Sequence, residues 1–232
     1  MAIISLLFFG ILPSVIWLLY FLREDVHPEP KKEILIIFLL GMMVPFLALI
    51  VEVAFNIFVN FFSFEMSEVL TIILVTPLIE EYGKYLVVKK IIVFNSVFDE
   101  STDLPIYMVT SAMGFAATEN ILSMFHFLTP FRIEGMIGLS YFRFLTANLL
   151  HALASGILGI GLAFSFYLFQ KRKTIFTYGF LGAVLLHSLY DSYIMYVRDP
   201  FGIVFILFVS FFVVIFLFHR VKRLPAVCRI KI

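Results

Sequence analysis

The chain has 232 residues, of which 62% are hydrophobic and 14% charged, with a mean hydropathy of +1.06 and a formal net charge of +1. A soluble domain is about 45–50% apolar and about 25% charged, so these values exclude ordinary soluble globular classes and predict an all-α, polytopic transmembrane helix bundle. No basic stripe suits nucleic acid, which leaves the lipid bilayer as the first partner. A single cysteine, Cys228, excludes an internal disulfide framework and cysteine-rich metal sites.

In chain order, seven apolar runs approach the ~20 residues that a bilayer core requires. The first, 2–22, has no basic residue ahead of it and no small-x-small cleavage site, so it is read as a retained helix rather than a signal peptide. The others are 33–60, 68–94, 104–128, 141–169, 174–198 and 200–220. The longer runs imply tilt or protruding ends. Pro13, Pro45 and Pro77 fall inside spans and predict kinks whose freed carbonyls neighbouring helices must satisfy. The stretch PFRIEGMIG at 130–138 is too polar and too short to span, and is expected to form an outer loop or an interfacial segment. Only RDP separates the last two spans, with Pro200 starting a helix. The expected organisation is one domain over 1–232, with a core at 15–195 and a short basic tail at 221–232.

Charge sets the expected orientation. With the N-terminus outside, inner loops and tail hold Arg23, Lys31, Lys32, Lys89, Lys90, Lys171, Arg172, Lys173, Arg220, Lys222, Arg223, Arg229 and Lys231. The outer side holds Arg132, Arg143 and Arg198, and Lys84 is intramembrane. This asymmetry follows the positive-inside rule and predicts an odd number of spans with a cytoplasmic C-terminus.

That topology assigns depth. Glu80 lies 12 residues below the outer start of its span, Glu119 lies 9 below an outer end, His151 lies 10 below an outer start and His187 lies 11 below an outer end. At 1.5 Å per residue, all four sit roughly 13–18 Å below the outer ends. Ionisable groups at mid-membrane cost about 2.5 kcal/mol or more unless paired or wetted. One shared, water-accessible cavity is the economical arrangement. Glu80 and Lys84 share a helix face at i,i+4, as do Phe115 with Glu119, His151 with Ser155, and His187 with Asp191.

Each feature also has a structural reading. Glu80, Glu81 and Lys84 fit a buried salt bridge, Glu119 with Asn120 fits a packing cluster, and a membrane histidine often bridges helices. Arg143 reads first as a snorkelling residue, and Asp191 as the partner of a local donor. Their common depth favours a site. Carboxylates with histidines suit hydrolysis, supplying a base for water, an acid for the leaving amine and donors for an oxyanion. Two His and one Glu beside a second Glu also suit zinc, assembled across helices because HExxH spacing is absent. HALASG at 151–156 offers a weaker serine reading, with Ser155 and His187 as a dyad. No GxGD motif is present, which disfavours presenilin-type aspartyl chemistry.

The segments EEYGK (80–84), GFAATEN (114–120), RFLTANLLH (143–151) and HSLYD (187–191), with DVHPEPKKEILIIFLLG (25–41), resemble the PrsW family of intramembrane proteases. That family shows EExxK, FxxxE and HxxxD motifs in this order. It is distantly similar to the CAAX-processing peptidases and to the non-catalytic Aph subunit of gamma-secretase. Met108 stands where the family pattern has a glycine, which puts close helix packing there in question. The resemblance implies that Glu80 and Glu81 are the paired glutamates, that Lys84 is the motif lysine, that Glu119 belongs to the second motif, and that His187 and Asp191 belong to the third. It implies a site-1 protease of membrane-anchored anti-sigma factors, acting on the extracytoplasmic side of a bacterial or archaeal plasma membrane.

The leading expectation is an intramembrane endopeptidase in which Glu80 activates water and Glu81 and Lys84 tune its charge. Glu119, His151 and His187 hold water and oxyanion or bind zinc, and Asp191 orients His187. Lys84 and the second carboxylate beside Glu80 favour a metal-free glutamate mechanism over zinc. The rival classes are a non-catalytic scaffold of the Aph type, which the glutamate pair disfavours, and a proton-coupled transporter, which the lack of repeat symmetry disfavours.

Overall fold

Leu-, Ile- and Phe-rich runs satisfy their backbone polar groups as helices, the arrangement that lipid demands, and tolerate interior Pro and Gly within them. The computed structural model describes residues 1–25, 27–62, 68–94, 100–197 and 199–224. Arg198, Cys228 and the tail residues Arg229 and Lys231 lie outside them. The helices are α1 (Ala2–Leu22), α2 (Lys31–Phe61), a single turn α3 (Glu68–Leu70), α4 (Thr76–Phe94), α5 (Asp103–Met124), α6 (Ile133–Leu145), α7 (Ala147–Tyr167), α8 (Arg172–Tyr196) and α9 (Pro200–Val221). A π-helical turn at Thr71–Val75 joins α3 to α4. Among the described residues there is no strand.

Among the described residues, four stretches are long and apolar enough to cross a membrane by length and composition: Ala2–Leu22, Lys31–Phe61, Ile133–Tyr167 and Pro200–Val221. The protein is a membrane-integral helical bundle. α4, α5 and α8, which carry most of the predicted site residues, are less apolar; α5 and α7 are the buried helices, whereas α4 and α8 keep exposed outer faces, among them Leu78, Tyr82, Tyr178 and Leu185. α5 is buried along most of its length and packs against α1, α2, α4 and α7, while α7 packs against α8. α2 and α9 turn apolar side chains outward, among them Leu47, Ile50, Phe205, Phe208 and Phe212. In water this pattern would be a liability, but against acyl chains it is the lowest-energy surface.

Close helix approach rests on glycines. A Cβ on Gly161 of α7 would lie 2.7 Å from the Cα of Gly179 on α8. A Cβ on Gly114 of α5 would overlap the Phe38 carbonyl oxygen of α2. Small residues at such crossings let backbones meet where the hydrophobic effect supplies little drive. Met108 does not loosen α5, because its side chain is fully buried.

Two features depart from the sequence reading. Residues 133–138, expected as loop or interface, begin α6, and the helix after it starts at Ala147 rather than 141. The break falls at Thr146, whose backbone leaves the helical region (φ −119°, ψ −88°) while its hydroxyl donates back to the Phe142 carbonyl at 2.8 Å. α6 lies along α1: Ser140 Oγ donates to the Phe9 carbonyl (2.8 Å), and Trp17 Nε1 donates to the Phe144 carbonyl (2.8 Å). Pro77 does not interrupt its helix. Lacking an N–H, it cannot close an i→i+4 bond, and the turn just before it is π-helical, with the Thr76 N–H donating to the Thr71 carbonyl.

The ends of the chain fit an odd number of crossings. Lys222 Nζ donates to Glu24 at 2.8 Å, so the C-terminal ends of α1 and α9 share one end of the bundle. The N-terminus of α1 lies at the other end.

Candidate active site

The residues singled out from sequence meet in one place. A cavity of about 320 Å³ is lined by Glu80 from α4, Glu119 from α5, Arg143 from α6, His151 from α7, and His187 and Asp191 from α8, with Ile72, Thr76, Leu139, Phe142 and Tyr190 among its other walls. A groove of about 390 Å³ between α1 and α2 is mostly apolar and has no imidazole on its walls. Of these two, the smaller cavity is the one that carries imidazoles.

Glu80 and Glu81 are neighbours in sequence with opposite surroundings, because consecutive helical residues point about 100° apart. Glu81 is fully buried and surrounded by donors. Its Oε1 accepts from Lys84 Nζ (2.7 Å) and contacts His187 Nδ1 (3.1 Å), and its Oε2 accepts from Ser155 Oγ (2.8 Å). Glu80 faces the cavity. Its Oε2 is buried with no hydrogen-bond partner, lying 3.7 Å from His187 Nε2 and 3.9 Å from Lys84 Nζ.

Lys84 is fully buried. Besides Glu81, its ammonium contacts His151 Nδ1 at 3.0 Å and sits over the Phe115 ring, 4.0 Å from the centroid. A cation taken out of water needs such a set, and an aromatic face is one legitimate member. The other nitrogen of His151, Nε2, lies 2.7 Å from Glu119 Oε2. That same oxygen accepts from Arg143 Nη2 at 3.2 Å, and Arg143 Nε bonds to Asn120. Asn120 also donates to the Gly10 carbonyl (3.0 Å), which ties the site to α1.

Three expectations change in detail. Arg143, first read as a snorkelling residue, lines the cavity, because α6 carries it over Glu119. Ser155 gives its proton to Glu81 rather than to a histidine, which removes the Ser155–His187 dyad. The carboxylate hydrogen-bonded to His187 is Glu81; Asp191 stands 3.8 Å from Nε2. Sequence reading missed the cavity-wall roles of Thr76, Phe142 and Tyr190. Only the turn before Pro77 hinted at the first of these.

The donor set was also weighed as a metal site. Glu80, His151 and His187 each offer a ligand atom within 4.8 Å of the others. Glu80 Oε2, buried without a hydrogen-bond partner, is among the oxygens this carboxylate could offer. By position and donor type these residues fit a zinc-sized cation. The expected set had Glu119 in place of Glu80; Glu119 is instead hydrogen-bonded to His151 and Arg143.

A family profile described as PrsW family intramembrane metalloprotease matches residues 29–218. The chain belongs to the PrsW family. It is accordingly an intramembrane protease. Among PrsW relatives, the chain is 29% identical over 188 residues to Protease PrsW of Geobacillus kaustophilus, covering 81% of this chain and 78% of the relative. It is 28% identical over 188 residues to Protease PrsW of Oceanobacillus iheyensis (81% and 82% covered). Against Protease PrsW of Clostridioides difficile it is 27% identical over 199 residues (83% and 80% covered). No solved structure matches the chain. The PrsW match spans every helix that contributes a residue to the cavity.

Proposed function

We propose that this PrsW protein is an intramembrane endopeptidase that hydrolyses one peptide bond of a membrane-anchored protein near the extracytoplasmic face, with Glu80 activating the water. The observation that carries the reading is the contrast within the glutamate pair. Glu81 has its acceptor positions filled by donors, whereas Glu80 lines the cavity and keeps an oxygen with no hydrogen-bond partner. A general base must be able to reach the proton it takes, and of the pair Glu80 is the one on the cavity wall.

In the proposed reaction Glu80 removes a proton as the water oxygen bonds to the scissile carbonyl carbon. Negative charge then builds on the carbonyl oxygen. Arg143, on the cavity wall, is the donor placed to receive it. As the carbon–nitrogen bond breaks, the Glu80 carboxyl returns its proton to the leaving amine. Asp191 adds a polar wall beside His187, and Tyr190 and Phe142 limit water entry. A zinc ion held by Glu80, His151 and His187 would supply Lewis-acid polarisation of the same carbonyl. Our reading favours the metal-free form, because Lys84 and Glu81 already set the charge of the site within the protein.

The outward orientation rests on the asymmetry of Lys and Arg. It puts the cavity in the outer half of the membrane, so the cut falls in the outer third of a substrate helix or just outside it. There the helix must unwind before a carbonyl is free. Anti-sigma-factor-like, site-1 substrates fit this geometry, and the bacterial relatives support a plasma-membrane location. The test is co-reconstitution with a single-span substrate, comparing wild type with Glu80→Gln. Cleavage by wild type alone, mapped by mass spectrometry to the outer side, is expected. A Glu80→Gln protein that cuts at the wild-type rate would overturn the assignment.

A further inference from the structure

Glu81, Lys84, Glu119, His151 and His187 have more hydrogen-bond partners than a general acid–base site needs, and those partners place protons. We infer that Lys84 and Glu81 are positioning residues that lock the two site histidines in opposite tautomers, so that His187 presents a lone pair to the cavity and His151 directs its N–H at Glu119.

The argument is one of valence. An ammonium has three protons and no lone pair. Lys84 Nζ contacts His151 Nδ1 at 3.0 Å, so that nitrogen must be the acceptor. Lys84's other two protons have Glu81 at 2.7 Å and the Phe115 face to go to. A neutral imidazole with its lone pair at Nδ1 carries its proton at Nε2. For His151 this nitrogen lies 2.7 Å from Glu119 Oε2, where a proton is wanted. His187 is the reverse. Its Nδ1 lies 3.1 Å from Glu81 Oε1. Glu81 also receives Lys84 and Ser155, so its oxygens have no direction left for a proton of their own. His187 Nδ1 must therefore donate. Its Nε2 keeps the lone pair, with the nearest carboxylate oxygens beyond hydrogen-bond reach at 3.7 Å (Glu80) and 3.8 Å (Asp191).

Two consequences follow. The division of labour rests on the proposed hydrolysis: His187 Nε2 accepts from the water beside Glu80, while His151 Nε2–H holds Glu119 in place, and the two cannot exchange roles. The second consequence concerns the metal. Glu80 and His187 are ready to ligate a cation, but His151 Nε2 carries a proton that Glu119 holds. His151 can become the third ligand only if its proton moves to Nδ1, and the Lys84 ammonium blocks that move. Lys84 thus acts against zinc through His151, in addition to any direct repulsion.

The experiment reads tautomers directly, on the full chain in detergent without substrate. Histidine-selective ¹⁵N labelling gives distinct two-bond nitrogen–proton patterns for the two neutral tautomers. His151→Gln and His187→Gln assign the signals among the five histidines. Expected are an Nε2–H pattern for His151 and an Nδ1–H pattern for His187. Lys84→Met should release His151 from its tautomer and leave His187 unchanged. An Nδ1–H pattern for wild-type His151, or a doubly protonated His187, would overturn the inference.

Zinc binding by competition with a chromophoric chelator supplies the second reading. Lys84→Met should bind zinc about 10- to 100-fold tighter than wild type, the range over which outer partners move metal affinity. The gain should vanish in Lys84→Met/His151→Ala. A gain that survives the double substitution would mean simple charge repulsion and would also overturn the inference. Neither reading requires turnover, so an inactive preparation bears on the proposed reaction and not on the tautomers.

Discussion

Glu80 and Glu81 differ by one position, and the same isosteric substitution at each should give opposite profiles. In Glu81→Gln the Lys84 ammonium, fully buried and 2.7 Å from the carboxylate, loses its charged partner. Breaking a buried pair by removing one member costs about 3–5 kcal/mol. The new amide keeps one acceptor oxygen for Lys84, but its NH₂ group must face either Ser155 or the Nδ1–H of His187. Ser155 can rotate its hydroxyl, which places the expected loss near the lower end, about 3 kcal/mol. That is a large share of a native stability of about 5–15 kcal/mol. In Glu80→Gln no hydrogen bond to Oε2 is lost, and a 3.9 Å attraction to Lys84 is offset by the desolvation no longer borne. Stability should stay within about 1 kcal/mol of wild type, while turnover falls about 10²- to 10⁴-fold with the base removed. Thermal unfolding in detergent, followed by near-ultraviolet circular dichroism, and cleavage in proteoliposomes give the two axes. A Glu81→Gln protein as stable as wild type, or a Glu80→Gln protein that is active but unstable, would refute the assignment of base and anchor.

Other substitutions probe the supports. Ser155→Ala should cost about 1–3 kcal/mol by leaving Glu81 Oε2 short of a donor, yet still cleave substrate; complete loss of cleavage in a folded protein would restore a serine nucleophile. Gly161→Leu should force α7 from α8 at the Gly179 crossing and cost about 1–3 kcal/mol or more, visible as a lower midpoint of unfolding. For topology, a cysteine placed in the 171–173 turn should react only with reagents reaching the cytoplasmic side; labelling from outside would invert the orientation and the expected cut position.

Most of the site was legible because membranes make ionisable residues conspicuous. Glu80, Glu81, Lys84, Glu119, His151 and His187 stand out against apolar runs, and helical rise converts their positions into depth. What the sequence could not convey was which atoms meet. Nothing in HxxxD spacing says that His187 bonds to Glu81 on another helix while Asp191, one turn away on its own helix, stands at 3.8 Å. Contacts across helices depend on rotation about each axis, which a near-featureless apolar pattern leaves undetermined. α6 escaped notice for a related reason. Glu134, Gly135, Gly138 and Arg143 dilute its hydrophobicity, and its helical character is stabilised by packing along α1. Because Arg143 rides on that helix, its place in the cavity was hidden with it.

The π-helical turn at Thr71–Val75 holds one more residue than an α-helical turn would. That surplus is a slack link just upstream of the reading frame that sets Glu80, Glu81 and Lys84. If the chain were shortened by one residue there, the ladder could close with ordinary i→i+4 bonds, and everything from Thr76 onward would keep its rotation against α2, α5 and α8. What would move is the segment carrying Ile72, a wall of the cavity. Changes of length in this stretch can therefore reshape what an incoming polypeptide touches while the glutamates stay in register, so that substrate fit and bond-breaking chemistry can vary separately along one helix.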